Sequence, residues 1–195
     1  LLGDEQSGQI QEIGFTLYSE LLERAVQALK AGRQPELDRP LDHGAEVDLQ
    51  LPALLPAEYL PDVHTRLVMY KRIASAADER ELRELQVEMI DRFGLLPEPA
   101  KNLFAVTRVK LRATPMGVRK IEAGPRGGRI LFEDEPRLDP AHLIKLIQTR
   151  PKEYRLDGST TLRFFLDLPD GQARLDAVER LLERLSGRDD GGRLH

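Results

Sequence analysis

Residues 118–132 read VRKIEAGPRGGRILF, two short runs with apolar positions on either side of a glycine-rich turn. Runs of this kind separated by Gly and Pro predict a β-hairpin. A second hairpin is predicted from Tyr154-Arg155-Leu156 and residues 161–168, with Asp157-Gly158 as a tight turn. The hairpins follow a mainly helical stretch, and the sequence has no regular βαβ alternation. The predicted fold class is therefore α+β, a helix-rich domain with short antiparallel strands and hairpins.

Helix start and stop signals surround these hairpins. Capping residues, helix-ending glycines and apolar spacing predict five helices, after Asp62, at 78–93, at 99–112, at 139–149 and from about 171 to 185. Residues 46–51 (EVDLQL) alternate polar with apolar side chains and predict a half-buried strand. The elements beyond residue 45 thus indicate one helix-rich folded region.

The first part of the chain is patterned differently. Apolar residues recur at helical spacing from Ile10 to Leu29 and predict an N-terminal amphipathic helix. Residues 34–44 are polar, contain two prolines and have no periodicity, so they are predicted to be a linker. The chain begins with Leu1-Leu2-Gly3, and we expect it to be a piece of a longer protein. The predicted organisation is 1–33, linker 34–44, domain 45–186 and flexible tail 187–195.

Composition excludes several classes of protein. Cysteine is absent, which removes disulfides, zinc–thiolate sites and cysteine nucleophiles. The net charge is −4, which disfavours a strongly basic nucleic-acid binder. No apolar run approaches the roughly 20 residues of a membrane span, so we expect a cytoplasmic protein without membrane contact.

A search for chemistry finds no catalytic constellation in the sequence. The four histidines are scattered and none has a metal-ligand spacing. The GPRGG stretch at 124–128 lacks the Lys-Ser/Thr of a phosphate-binding loop and is predicted to be a turn. A locally basic stretch from Lys101 to Lys120 could touch DNA, although a solvated helix face is favoured. We predict no enzymatic activity, metal or cofactor for this chain.

The predicted helix at 78–93 is the most informative segment. At about 100° per residue, Leu82, Leu85, Met89 and Phe93 share one narrow face that should pack on the domain. Acidic residues share another face, Glu81, Glu84, Glu88 and Asp91, with Arg92 one turn after Glu88. The residues themselves leave two interpretations open, a solvated charged face or a polar docking surface for a basic partner.

Four stretches resemble the C-terminal end of the bacterial transcription-repair coupling factor (Mfd) family. They are LLGDEQSGQIQEIGFTLYSELLERAVQALKAGR (1–33), EVDLQLPALLPAEYLPDVHTRLVMYKRIASA (46–76), VEMIDRFGLLPEPAKNL (87–103) and YRLDG (154–158). Residues 1–33 resemble the end of a translocation motif shared with the RecG translocase. The resemblance implies that Gln6 helps to couple the ATPase cycle to movement on duplex DNA.

The resemblance also implies a role for the domain at 45–186. It would be a regulatory domain that packs on the factor's own N-terminal UvrA-like module and masks the UvrA-binding surface in the resting state. The contact residues implied are Glu88, Asp91 and Arg92, which match a Glu-x-x-Asp-Arg pattern. ATP, Mg²⁺, RNA polymerase and duplex DNA would be bound by other parts of the parent, an ATP-hydrolysing DNA translocase of nucleotide excision repair. The alternative is an accessory DNA-contacting domain of the same translocase.

Overall fold

The structure is a computed structural model that describes residues 44–188. These residues fall into two compact units, one of residues 53–104 and the other of residues 44–52 together with 105–188. The predicted N-terminal helix, Gln6 and residues 34–43 of the predicted linker lie outside the described residues, as does most of the predicted tail. The division proposed for the chain at 1–33, 34–44, 45–186 and 187–195 stays a prediction.

The first unit is helical. Helix α1 covers Val63–Ala74, α2 covers Glu79–Phe93, and α3 covers Glu98–Ala113, with its last nine residues belonging to the second unit. Asp62 and Asp78 cap α1 and α2, because each carboxylate accepts a hydrogen bond from the backbone N–H three residues later, at 2.9 and 2.8 Å. The predicted helices at these positions are therefore confirmed.

The second unit is built on a five-stranded sheet. Its strands are β1 (Glu46–Asp48), β2 (Val118–Gly124), β3 (Gly127–Phe132), β4 (Tyr154–Asp157) and β5 (Thr161–Phe165), in the order β1-β2-β3-β5-β4. Both predicted hairpins are confirmed, and residues 125–126 are the turn between β2 and β3. In the second hairpin the turn is residues 158–160, because Asp157 still pairs with Thr161, and β5 ends at Phe165 instead of the predicted residue 168. The α+β class is confirmed, but the sheet is mixed, because β1 pairs parallel with β2. The strand predicted over 46–51 ends at Asp48, since Gln50 has a positive φ of 52°.

Helices cover one face of this sheet. Helices α4 (Pro140–Thr149) and α5 (Gly171–Leu185), with the end of α3, pack on the buried strand residues. The core they form includes Val109, Ala113, Ile121, Ile130, Leu146, Leu162, Phe164, Leu175, Val178, Leu181 and Leu185. Asp139 and Asp170 cap the two helices, so the predicted bounds of both are confirmed.

A buried arginine fastens the segment after β1 to this core. Arg174 on α5 is only 7% exposed, and its guanidinium donates to four backbone carbonyls. The acceptors are those of Leu168 (3.2 Å), Leu49 (3.4 Å), Gln50 (3.0 Å) and Pro169 (3.3 Å). Hydrogen bonds to carbonyls satisfy the donors of a buried guanidinium, which would otherwise be costly to bury. Arg174 therefore holds residues 49–50 against the start of α5.

Among residues 44–188, no helix combines the length and apolar character needed to cross a membrane.

Candidate functional site

Helix α2 positions the predicted contact residues by burying its opposite side. Leu82, Leu85 and Met89 are buried, and Met89 has no exposed surface. Phe93 is only partly buried, so the predicted apolar face is confirmed for three of its four residues. The helix start is doubly fixed, because Glu81 also accepts a hydrogen bond from the N–H of Ala77 at 2.8 Å. The charged face is consequently held in a defined orientation.

Glu88 is the centre of a small network of ion pairs. Arg72 on α1 donates to both oxygens of its carboxylate, with Nη2 at 3.0 Å from Oε1 and Nη1 in closer contact with Oε2. Arg92, one turn later on α2, places Nη1 3.3 Å from Oε2. All three side chains keep between 40 and 49% of their surface exposed. The network is therefore preformed and still accessible to a partner.

The same contacts shift the pKa values of Glu88 and Arg72. The hydrogen bond from Arg72 lowers the pKa of Glu88 below its ordinary value, and Arg92 lowers it further. The hydrogen bond to Glu88 raises the pKa of Arg72. Both groups are consequently charged over a wider pH range than isolated side chains.

The end of α2 is held by aromatic contacts. The Arg92 guanidinium carbon lies 4.8 Å from the centroid of the Phe93 ring, a cation–π distance. Phe93 in turn meets the Tyr59 ring edge-on at 6.3 Å. The Tyr59 hydroxyl donates to the carbonyl of Gly94 at 2.8 Å, and burial raises its pKa. These contacts restrict the positions that Arg92 can take.

Asp91 is different from its neighbours. It is exposed, and its carboxylate makes no hydrogen bond or ion pair with other residues in the described part of the chain. Two apolar side chains near it in the sequence are also exposed, Val87 by 59% and Leu95, after the end of α2, by 85%. Protein interfaces typically have an apolar centre and a polar rim, and this region of the surface offers side chains of both kinds. We call the four residues Arg72, Glu88, Asp91 and Arg92 the α2 patch.

The structure adds one residue that the sequence reasoning missed. Arg72 lies 16 residues before Glu88 and on another helix, so no helical spacing indicates the pair. Glu88, Asp91 and Arg92 do lie on one side of α2, as predicted. Their role as contact residues stays a prediction, and so does that of Gln6.

In the basic stretch from Lys101 to Lys120, at least three of the six Lys and Arg side chains pair with carboxylates. Lys101 pairs with Glu98 at 3.2 Å, and Lys120 pairs with Glu122 at 2.9 Å. Arg108 contacts Glu179 through two nitrogens, the closer at 3.0 Å. Ion pairing of this kind reduces the positive potential available to a phosphate backbone.

Residues 44–188 contain no group of three or more His, Asp or Glu side chains arranged to hold a metal ion. A shallow cavity of about 230 Å³ lies beside His142, Lys145, Arg150 and Arg184, and Arg150 there pairs with Glu153 at 3.3 Å. The Thr149 hydroxyl also lines the cavity, and it donates to the backbone carbonyl of Lys145 at 2.8 Å.

Fold and site together define an α+β domain that carries a preformed, exposed charged patch on a capped helix. Residues 49–143 match the family described as the TRCF domain. The chain is 50% identical over 185 residues to the transcription-repair-coupling factor of Escherichia coli K12, and 50% identical over 186 residues to that of Haemophilus influenzae. Each alignment covers 95% of this chain and 16% of the relative.

A solved structure agrees with these matches. The crystal structure of the C-terminal domain of transcription-repair coupling factor superposes with a TM-score of 0.59 at 25% identity, over 74% of this chain and 96% of that one. The chain therefore contains a TRCF domain, and it is similar to the C-terminal domain of the transcription-repair coupling factors. It spans about a sixth of the length of the two relatives above.

Proposed function

We propose that this chain acts as the regulatory C-terminal domain of a DNA translocase that couples transcription to nucleotide excision repair. In this proposal the α2 patch docks on the factor's own N-terminal UvrA-like module and masks the UvrA-binding surface in the resting state. The observation that carries the proposal is the Glu88 network, which is preformed and yet 40% or more exposed.

Preformed charges favour docking because their side chains lose little freedom on binding. Arg72 and Arg92 already hold Glu88 in one geometry, and each guanidinium has further N–H donors for a partner carboxylate. Asp91 offers a basic partner a carboxylate that is unpaired within residues 44–188. The patch can thus contact a surface that carries both an acidic and a basic side chain.

The activities and partners proposed for the parent protein are those that the family resemblance implies. The parent would hydrolyse ATP with Mg²⁺ and contact RNA polymerase and duplex DNA through other domains, in the cytoplasm. The present chain would contribute no catalytic group. UvrA would be affected indirectly, because docking hides the surface that recruits it, and Gln6 would serve the translocation motif.

Binding in trans tests this proposal. The isolated N-terminal UvrA-like module is titrated into the 195-residue chain and into the Glu88→Lys/Asp91→Lys variant, with calorimetry as the readout. We expect the variant to bind about tenfold more weakly or worse, because charges are reversed in a contact that loses water on docking.

The matched control is Glu133→Lys/Glu135→Lys, which makes the same charge change at two exposed positions outside α2. Folding of each variant is checked by far-ultraviolet circular dichroism. The proposal is contradicted if the wild-type chain does not bind the module, or if both double variants weaken binding equally.

The DNA-contacting alternative receives no support from the ion pairs of Lys101, Arg108 and Lys120. It requires micromolar binding of duplex DNA that weakens steeply with salt. Fluorescence anisotropy with a labelled duplex at two salt concentrations distinguishes it from the docking proposal.

A further inference from the structure

The face of the sheet opposite the helices carries a line of arginines. In the strand register, Arg129 of β3 lies directly opposite Arg163 of β5, and Arg163 lies directly opposite Arg155 of β4. Their neighbours along each strand, such as Ile130, Leu162 and Tyr154, point to the buried core. These three residues are called the arginine row.

Three arginines in such a row are expected to destabilise the sheet. Side chains directly opposite each other on neighbouring strands are the closest cross-strand pairs, and like charges there are destabilising. Two consecutive like-charged pairs across three strands therefore need a compensating reason. Solubility does not explain the row, because basic and acidic side chains in alternation would make this face equally soluble.

Carboxylates of the same domain neutralise the charges of the arginine row only in part. Arg129 Nε contacts Glu122 at 2.6 Å, but Glu122 also pairs with Lys120. Arg163 Nε lies 2.9 Å from Asp157 Oδ2, yet this buried nitrogen makes no properly directed hydrogen bond. Arg155 makes no ion pair in the described part of the chain. Several guanidinium N–H groups are thus left to water or to a partner.

An aromatic ring completes the surface. Phe165 on β5 is 45% exposed, and the Arg155 guanidinium carbon lies 5.2 Å from its centroid. Arg155 is therefore held near its ring by a cation–π contact and is oriented before any ligand arrives. The surface combines three cations with one apolar anchor.

We propose that the arginine row and Phe165 bind an acidic protein segment, one with two or three carboxylates and an adjacent apolar side chain. Three strands at about 4.8 Å spacing make the row roughly 10 Å long. Alternate residues of an extended segment are about 6.8 Å apart, so two or three carboxylates on flexible side chains can contact the row. The planar guanidinium fork matches carboxylates in a bidentate geometry. This surface lies in the second unit and shares no residue with the α2 patch.

A nucleic-acid strand fits this surface less well. The sheet continues beyond Arg129 into strands that carry Glu122, Glu46 and Asp48, and these carboxylates would repel a polyanion extending along the sheet. A short acidic segment ends before reaching them. Charge complementarity therefore favours a protein ligand of limited length.

The test uses a twelve-residue peptide with Glu at alternate positions around one Leu, and a matched peptide in which every Glu is Gln. Nitrogen-15 NMR on the 195-residue chain follows the backbone amides and the arginine Nε–Hε signals. We expect saturable shifts confined to β3, β4, β5 and the arginine row with the Glu peptide, and none with the Gln peptide.

Variants make the test specific. Arg155→Gln and Arg163→Glu should weaken binding of the Glu peptide about fivefold or more, because each removes a charged contact. Arg180→Glu, an exposed position on α5, should leave it within twofold. Unchanged dispersion of the amide signals shows that each variant is folded.

Three results would overturn the proposal. They are equal binding of the Glu and Gln peptides, shifts that map elsewhere, and displacement of the peptide by a single-stranded DNA 20-mer at lower concentration than by the unlabelled peptide. The last result would assign the row to nucleic acid.

Discussion

Replacing Arg174 by Met removes the buried guanidinium that fastens residues 49–50 to the start of α5. The side chain is 7% exposed and donates to four carbonyls, two of them in buried and two in partly buried bonds. Met keeps much of the aliphatic volume, so the change tests mainly the hydrogen bonds. Neighbouring Leu175 and Val178 remain packed in the core.

The magnitude follows from the carbonyls that lose a partner. Each buried acceptor left unsatisfied costs ~1–3 kcal/mol, while the partly buried ones can turn to water at little cost. Loss of the two buried bonds therefore predicts a decrease of about 3 kcal/mol in the free energy of unfolding. Arg174→Lys should lose nearly as much, because one ammonium cannot reach four carbonyls.

Urea unfolding followed by circular dichroism measures this change. Arg180→Met is the matched control, since it makes the same substitution at an exposed position of the same helix and should alter stability by less than ~0.5 kcal/mol. The reasoning is refuted if Arg174→Met falls within ~1 kcal/mol of wild type, or if the control is equally destabilised.

Three further predictions concern the core, titration and activity. Met89→Ala should lower the free energy of unfolding by about 2–5 kcal/mol in urea titrations, because it opens a cavity at a fully buried position; an effect below ~1 kcal/mol would contradict the assigned packing. The Glu88 carboxyl should titrate in NMR below the ordinary Glu pKa, and Arg72→Ala should raise that pKa. Because the folded-state pKa is depressed, the stabilisation by Glu88 is present above the unfolded pKa and is lost as the pH falls through the folded one; an unchanged pKa in the variant would disprove the assigned cause. The chain should release no phosphate from ATP, and activity that persists through repurification would show otherwise.

Local signals explain why much of the fold could be predicted from the sequence. Asp78 and Gly94 bracket α2, and Asp139-Pro140 begins α4, because caps and breakers act within a few residues. The same locality explains the hairpins, whose strands lie on either side of short turns. The buried side of α2 follows from helical periodicity alone.

Contacts between distant parts of the chain could not be predicted from such local signals. The pairing of β1 with β2 joins Glu46 to Lys120, and no local pattern specifies a parallel partner so far along the chain. The contact between Arg72 and Glu88 depends on how two helices pack. The arginine row depends on the register of three strands, which composition does not reveal.

The most direct test of the docking account is the affinity of the full-length factor for UvrA. The factor carrying Glu88→Lys and Asp91→Lys, with its ATPase motifs untouched, is compared with wild type in the resting state. The account predicts tighter UvrA binding by the variant, because a weakened α2 patch shifts the closed state toward the open one. Equal UvrA affinity for the two proteins would contradict the proposed masking role of this patch.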